Sequence, residues 1–189
     1  PFIATLAMTN IAEGITQIYT NGQAVSGVEK IRFLGQGSVI GIPMPVIVML
    51  VAVGAIACLM KYTTLGVHIY AIGGNEKATI ASGINVNRSK RVIFTLSGAL
   101  VGLAGVVLMA RLMSGQPSVG SGYEFDAITA VIVGGTSFTG GIGTVTGALI
   151  GSIIVGLINN ILNLLHVSTQ YQLIVKGLLI AGAVIIDVK

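Results

Sequence analysis

Three long apolar runs restrict what this chain can fold into. They cover residues 47–60, with a possible extension back to 39 through Pro43 and Pro45, residues 92–110 and residues 145–165. A helix rises about 1.5 Å per residue, so about 20 largely apolar residues cross a hydrocarbon core of about 30 Å. The runs therefore predict transmembrane helices.

The composition supports a membrane protein and argues against a soluble one. Only 8% of the residues are charged and 53% are hydrophobic, whereas about a quarter of an average soluble domain is charged. The 27 glycines and the absence of tryptophan are compatible with closely packed membrane helices. The net charge of +4 comes from basic residues at the ends of apolar runs, which favours membrane orientation over nucleic-acid binding.

Three weaker segments, residues 2–19, 127–138 and 173–186, complete a set of six predicted crossings. The segment 127–138 reaches a crossing length only if residues 122–126 prolong it. With six crossings the loops alternate, and the side richer in lysine and arginine is cytoplasmic. Six of the ten basic residues fall on one side: Lys61, Lys77, Arg88, Lys90, Arg91 and Lys189.

This assignment makes residues 61–91 the main cytoplasmic loop and turns residues 20–44 and 112–126 outward. The predicted fold class is all-α, a polytopic helical bundle, with residues 1–189 as one transmembrane domain. Because the chain opens at Pro1 inside an apolar stretch, we expect a fragment that lacks an N-terminal part.

The cytoplasmic loop contains a short stretch with the residues of a helix. Asn75 is a suitable N-cap, and Glu76 follows where the helix dipole favours an acid. Ser82 and Gly83 are placed to end the helix. This pattern fits an ordinary solvated loop, and it also fits a small helix that docks a cytoplasmic partner.

Particular sequence stretches resemble a known family. The loop reads GGNEKATIASGIN, a glycine-rich span SGALVGLAGVVLMARL follows, and GIPMPVIV lies upstream. Over practically its whole length the chain resembles the permease subunits of ABC importers for ribose, xylose and galactose. In that family the loop corresponds to the EAA motif, a short helix that sits in a cleft of the ATP-hydrolysing subunit. The resemblance assigns this ATPase-coupling role to Asn75, Glu76, Ala78, Ala81, Ser82 and Gly83.

The chain departs from the motif at one point, because the initial acid-alanine-alanine is replaced by Glu76-Lys77-Ala78. The resemblance implies a permease subunit that moves a ribose-like monosaccharide across the bacterial inner membrane. It also implies cytoplasmic ATP-binding subunits, an extracytoplasmic sugar-binding protein and a second permease copy, identical or closely homologous. The implied protein lies in membrane lipid, binds no nucleic acid and is no enzyme, since a separate chain hydrolyses ATP.

Glycines at four-residue spacing predict close helix packing. One pair is Gly98 and Gly102, and a row of three is Gly143, Gly147 and Gly151. The run GGTSFTGGIG at residues 134–143 lacks the lysine of a phosphate-binding loop and the third glycine of a dinucleotide fingerprint. We interpret it as a cytoplasmic turn.

Polar residues inside the apolar runs are costly in hydrocarbon unless they have partners. Ser152, Gly156, Asn159 and Asn163 share one helical face, with Asn160 beside it. This face either hydrogen-bonds a neighbouring helix or lines an aqueous translocation path. Lys176 is expected to reach the outer interface, and Glu124 and Asp126 are expected to be solvated at the outer end of a short span.

The sequence offers no arrangement for catalysis. We place His68 in the cytoplasmic loop and His166 in an outer loop, and neither has a second ligand at metal-binding spacing. No metal site or cofactor is therefore expected. Two alternatives to a sugar permease stay open: a permease for branched-chain amino acids, and a secondary transporter or channel that needs no ATPase.

Overall fold

The computed structural model describes residues 2–187 and is dominated by helices. Within that range the strands are two residues long each: β1 (Ser38–Val39) and β2 (Ile42–Pro43). A 3-10 helix covers Glu29–Ile31. The all-α fold class is confirmed. The nine α-helices of the described residues are α1 (Phe2–Thr20), α2 (Arg32–Gln36), α3 (Met44–Tyr62), α4 (Thr64–Gly74), α5 (Glu76–Ala81), α6 (Val86–Leu112), α7 (Tyr123–Val133), α8 (Val145–Leu164) and α9 (Thr169–Asp187).

Three of these helices are long and apolar enough to cross a membrane: α3, α6 and α8. They correspond to the three apolar runs. Helix α6 begins six residues earlier than the run predicted, because Asn85 acts as an N-cap and its Oδ1 accepts a hydrogen bond of 3.0 Å from the Arg88 backbone N–H. The basic residues that follow Asn85 therefore lie in the first turns of a long helix rather than in a loop.

The expected extension of α3 back to residue 39 is wrong. Strands β1 and β2 pair antiparallel there, with Ser38 opposite Pro43 and Val39 opposite Ile42. The two residues between them, Ile40 and Gly41, have positive φ values of 53° and 79°, as the two-residue turns of tight hairpins require. A helix cannot pass through this turn, so α3 begins only at Met44.

Helix α7 is shorter than a crossing requires. It begins at Tyr123, as the prolongation of the segment 127–138 predicted, but it ends at Val133 after 11 residues, which rise about 16 Å. Residues 134–144 continue without helix and satisfy part of their backbone locally. Thr136 N–H donates to Val131 O (2.9 Å), and Ser137 N–H donates to Ile142 O (3.0 Å). Of the predicted crossing, residues 122–138, the helix therefore covers only residues 123–133.

Packing divides the chain into two compact units. Two of the three boundaries fall inside helices α3 and α6, and the third falls just before α7. The first unit comprises Pro1–Val51 and Ser97–Ser121. In it, Val25 and Gly115 exchange two backbone hydrogen bonds of 2.8 Å. Gly35 packs so closely on the backbone of Ala110 and Arg111 that a Cβ atom would overlap it.

The second unit comprises Ala52–Leu96 and Gly122–Lys189. Its centre is formed where α7 packs against α8 and α9. Thr129, Ala130 and Ile132 of α7 and Val155 of α8 are buried there. The prediction of a single transmembrane domain stays a prediction. All the contacts that form the candidate site lie in this second unit.

Candidate functional site

Helix α5 forms at the predicted place, with both predicted ends. The Asn75 side chain accepts a hydrogen bond of 3.0 Å from the Ala78 backbone N–H, which satisfies a free donor of the first turn. At the other end, Gly83 has a φ of 82°. Gly83 N–H donates to Ile80 O and Ile84 N–H donates to Thr79 O, which is the Schellman pattern of helix termination.

Helix α5 is anchored on one side and exposed on the other. Thr79 is buried, and its hydroxyl donates to Asn75 O at 2.8 Å. Ala78 and Ala81 are exposed, and Ile80 is 56% exposed although it is apolar. Glu76 forms an exposed ion pair with Lys90 of α6, with a distance of 2.8 Å from Oε1 to Nζ. The helix thus presents small and apolar side chains outward.

Most of the predicted cytoplasmic loop, residues 61–91, is helical. Helix α4 fills residues 64–74, and Gly66 allows it to turn back on the end of α3, since a Cβ there would overlap the backbone of Met60. His68 therefore lies in a helix and not in a loop. It is half-buried, and its Nδ1 lies 3.5 Å from Ser89 Oγ, at an open cavity of about 320 Å³.

The glycine-rich turn after α7 packs directly on the residues that precede α5. Gly140 and Gly141 lie against Gly73 and Gly74 with backbone touching backbone; a Cβ on Gly141 would lie 2.7 Å from Gly74 Cα. The Tyr70 hydroxyl donates to Gly143 O at 2.9 Å. Sequence reasoning identified a turn here but missed its contact with α4, which is a long-range feature. The contact links the α7–α8 hairpin to the base of α5.

The predicted glycine row on α8 lies at the α7–α8 contact. A Cβ on Gly147 would overlap Gly134 O, and a Cβ on Gly151 would overlap Ala130 O. A Cβ on Gly143 would lie 2.9 Å from the Thr136 side chain. Gly98 and Gly102 have open space beside them. A packing role for those two glycines stays a prediction.

The predicted polar face of α8 is divided between two environments. Asn159 is half-buried and its Nδ2 donates to Asp126 Oδ2 of α7 at 3.3 Å. Asn163 Oδ1 accepts a hydrogen bond of 2.9 Å from Gln172 Nε2 of α9. Ser152, Gly156 and Asn160 are exposed in this chain, and Ser152 Oγ donates to Leu149 O of its own helix. A translocation path along this face stays a prediction.

Lys176 and Asp126 form an ion pair, which contradicts the expectation that Asp126 is solvated. Lys176 Nζ lies 2.7 Å from Asp126 Oδ1 and 3.0 Å from Oδ2. Each side chain is only 20% exposed, so Asp126 is a partnered, mostly buried group and not a solvated one. That Lys176 reaches the outer interface stays a prediction. The signal was available in the sequence, because isolated opposite charges in apolar segments tend to pair with one another.

Comparison with known proteins identifies the family. The chain matches the family described as "Branched-chain amino acid transport system / permease component" over residues 1–184. The chain belongs to this permease family. Its membership in this family and its three apolar helices together identify the chain as a multi-pass membrane protein.

Several relatives of the permease carry names of sugar transport proteins. It is 48% identical to the ribose import permease protein RbsC of Bacillus subtilis over the whole of this chain and 60% of the relative. It is 45% identical to the D-allose transport system permease protein AlsC of Escherichia coli, over 99% of this chain and 58% of the relative. Identity to the L-arabinose transport system permease protein AraH of the same species is 40%, over 98% of this chain and 57% of the relative. The chain thus spans about three fifths of the length of these relatives. No solved structure matches it.

Proposed function

We propose that this permease is the membrane-spanning subunit of an ATP-driven importer that carries a monosaccharide across the bacterial inner membrane. The observation that carries the proposal is the identity of 40–48% to permeases named for ribose, allose and arabinose, over 98–100% of this chain. The family description names branched-chain amino acids, which makes an amino acid the natural competing substrate in any test.

Helix α5 is the proposed docking element for a cytoplasmic ATP-binding subunit. Three properties support this role. The helix is short and capped at both ends, it is anchored by the buried Thr79, and it exposes Ala78, Ala81 and Ile80. Small side chains allow a helix to lie close to a partner surface. Burial of the exposed Ile80 side chain in that contact would lower the free energy of binding. The ion pair of Glu76 with Lys90 is exposed, so Glu76 can exchange this partner for a basic residue of the ATP-binding subunit.

The contact between α4 and the glycine-rich turn supplies a route for coupling. When the ATP-binding subunits close, α5 moves with them and displaces the end of α4. Because Gly73 and Gly74 touch Gly140 and Gly141, the displacement reaches the α7–α8 hairpin. A rigid-body shift of packed elements between two arrangements is the usual basis of such switching. ATP hydrolysis itself belongs to the partner chain.

The full assembly proposed here contains two permease copies, cytoplasmic ATP-binding subunits and an extracytoplasmic sugar-binding protein. Reconstitution of the full-length permease with these partners in liposomes tests the substrate class. We expect ATP-dependent uptake of ribose, allose or arabinose and none of leucine. ATP-dependent uptake of leucine without sugar uptake, or uptake that needs no ATP-binding subunit, would overturn the proposal.

The docking role is tested by adding bulk to the exposed side of α5. Ala78→Trp and Ala81→Trp should leave membrane insertion unchanged but reduce ATP-coupled uptake at least tenfold and weaken co-purification of the ATP-binding subunit. Val101→Trp is the matched control, because Val101 is 69% exposed in the middle of α6 and lies outside α5. Wild-type uptake by both α5 variants would rule out docking at this helix.

A further inference from the structure

The ion pair between α7 and α9 is part of a three-residue polar cluster that the coupling mechanism does not use. Asp126 Oδ2 accepts from Lys176 Nζ at 3.0 Å and from Asn159 Nδ2 of α8 at 3.3 Å. The cluster therefore contains one residue from each of the three helices at the centre of the second unit. Ionisable groups in such positions are costly to hold and often mark a substrate path.

The cluster has hydrogen-bonding capacity that the protein leaves unused. Asn159 Oδ1 is buried and has no donor among residues 2–187. Asp126 Oδ1 lies 2.7 Å from Nζ yet has no well-aligned hydrogen bond among the same residues. An ammonium group has three N–H donors, and here all its recorded contacts go to one carboxylate. Asn159 Oδ1 is therefore an acceptor without a donor, and it lies beside an ion pair whose ammonium group has N–H capacity to spare.

A purely structural role does not account for this arrangement. A buried ion pair holds helices together no better than apolar side chains of the same volume, and a structural pair is expected to satisfy its polar atoms. The 20% exposure of both charged side chains means that residues 2–187 do not fully enclose the cluster. An acceptor without a donor, beside an ammonium group with N–H capacity to spare, instead fits a ligand that carries several groups able to both donate and accept.

We propose that Asp126, Asn159 and Lys176 form a binding subsite for neighbouring hydroxyl groups of the transported sugar. One hydroxyl donates to Asn159 Oδ1 or Asp126 Oδ1, and the same or the next hydroxyl accepts from Lys176 Nζ. The inference rests on the proposed sugar-import function. On the predicted topology, Asp126 lies near the outer end of its segment, where a sugar released by the binding protein arrives first.

The test uses the full-length permease with its partners in liposomes and separates binding from folding. The double variant Asp126→Asn with Lys176→Gln removes both charges and leaves no unpaired ion. The double variant Asp126→Lys with Lys176→Asp exchanges them. Both should keep membrane abundance and melting temperature close to wild type, yet lower the uptake rate at saturating binding protein about tenfold, since charged hydrogen bonds are about twice as strong as neutral ones. Glu124→Gln is the matched control, because this carboxylate lies on the same helix and is exposed, and it should keep the wild-type rate.

Asn159→Leu provides a variant that leaves the ion pair intact. We expect at least a fivefold loss of uptake. A further measurement compares the uptake rate of each sugar with the uptake rates of its mono-deoxy analogues. The same binding protein delivers the sugars to the wild-type and variant permeases, so its own preference cancels when the two permeases are compared. When the analogue lacks the hydroxyl that the subsite contacts, the ratio of sugar uptake to analogue uptake should be closer to one in the variants than in the wild type.

The outcomes distinguish the two proposals. A wild-type assembly that imports no monosaccharide overturns the proposed function and this inference with it. A wild type that imports sugar, together with a charge-exchanged variant that imports it equally fast, shows that the pair only holds the helices and overturns the inference alone. Unchanged deoxy-sugar ratios in Asn159→Leu would do the same.

Discussion

Replacing Gly151 with alanine should loosen the α7–α8 contact and lower the stability of the permease. A Cβ at this position would overlap Ala130 O and would lie 2.8 Å from Gly134 N and 2.9 Å from Ala130 C. All three are backbone atoms, so no side-chain rotation relieves the overlap and the helices must move apart. Such overpacking costs about 1–3 kcal/mol.

Gly156→Ala on the same helix is the control for this prediction. Gly156 has nothing within 4 Å of its ideal Cβ position, so alanine there brings only the helix-propensity gain of about 0.5–1 kcal/mol that both variants share. The difference between the two variants therefore isolates the overlap. We expect Gly151→Ala to melt at least about 2 °C below Gly156→Ala, measured on the purified full-length protein in one detergent. Equal melting temperatures would refute the close-contact reasoning.

Three further predictions concern α5 and its ends, and amide hydrogen exchange of the full-length protein measures each. Asn75→Ala removes the N-cap and should destabilise α5 by about 1 kcal/mol, so its amides should exchange about fivefold faster; unchanged exchange would mean that the cap contributes nothing. Gly83→Ala forces a Cβ into a φ of 82° and should cost about 1 kcal/mol, whereas Gly74→Ala, with open space and no positive φ, should not speed exchange in α5. Glu76→Gln breaks the exposed ion pair with Lys90. Because surface ion pairs contribute about 0–1 kcal/mol, the amide exchange rate in α5 should change by less than a factor of about five. A larger effect would show that Lys90 anchors the helix.

Features that depend on local sequence were predictable here. The three apolar runs became α3, α6 and α8 because hydrophobic length alone selects such helices. Helix α5 was predictable to the residue, because Asn75 and Gly83 determine its ends through contacts within five positions. In both cases the information lies in residues that are neighbours along the chain.

Features that depend on distant contacts were missed. The Asp126–Lys176 pair joins residues 50 positions apart. The two isolated charges were a signal that each needs a partner, but no local pattern in either segment brings them together. Helix α4 was interpreted as loop because its glycines weaken helix propensity. Two of these glycines, Gly66 and Gly73, are required because the backbone of other segments lies where a Cβ atom would be. The hairpin before α3 was missed because its turn uses Ile40, a residue rarely found at positive φ.

The contact of Gly73 and Gly74 with Gly140 and Gly141 has a mechanical consequence. Side chains between two elements act as a compliant layer, since rotamers can change and take up part of a displacement. Here backbone meets backbone, and neither partner has a rotamer to change. No side chain cushions this joint, so a movement of Gly73 and Gly74 toward the turn meets backbone at once, and only a change in the backbone dihedrals of these glycines can absorb it.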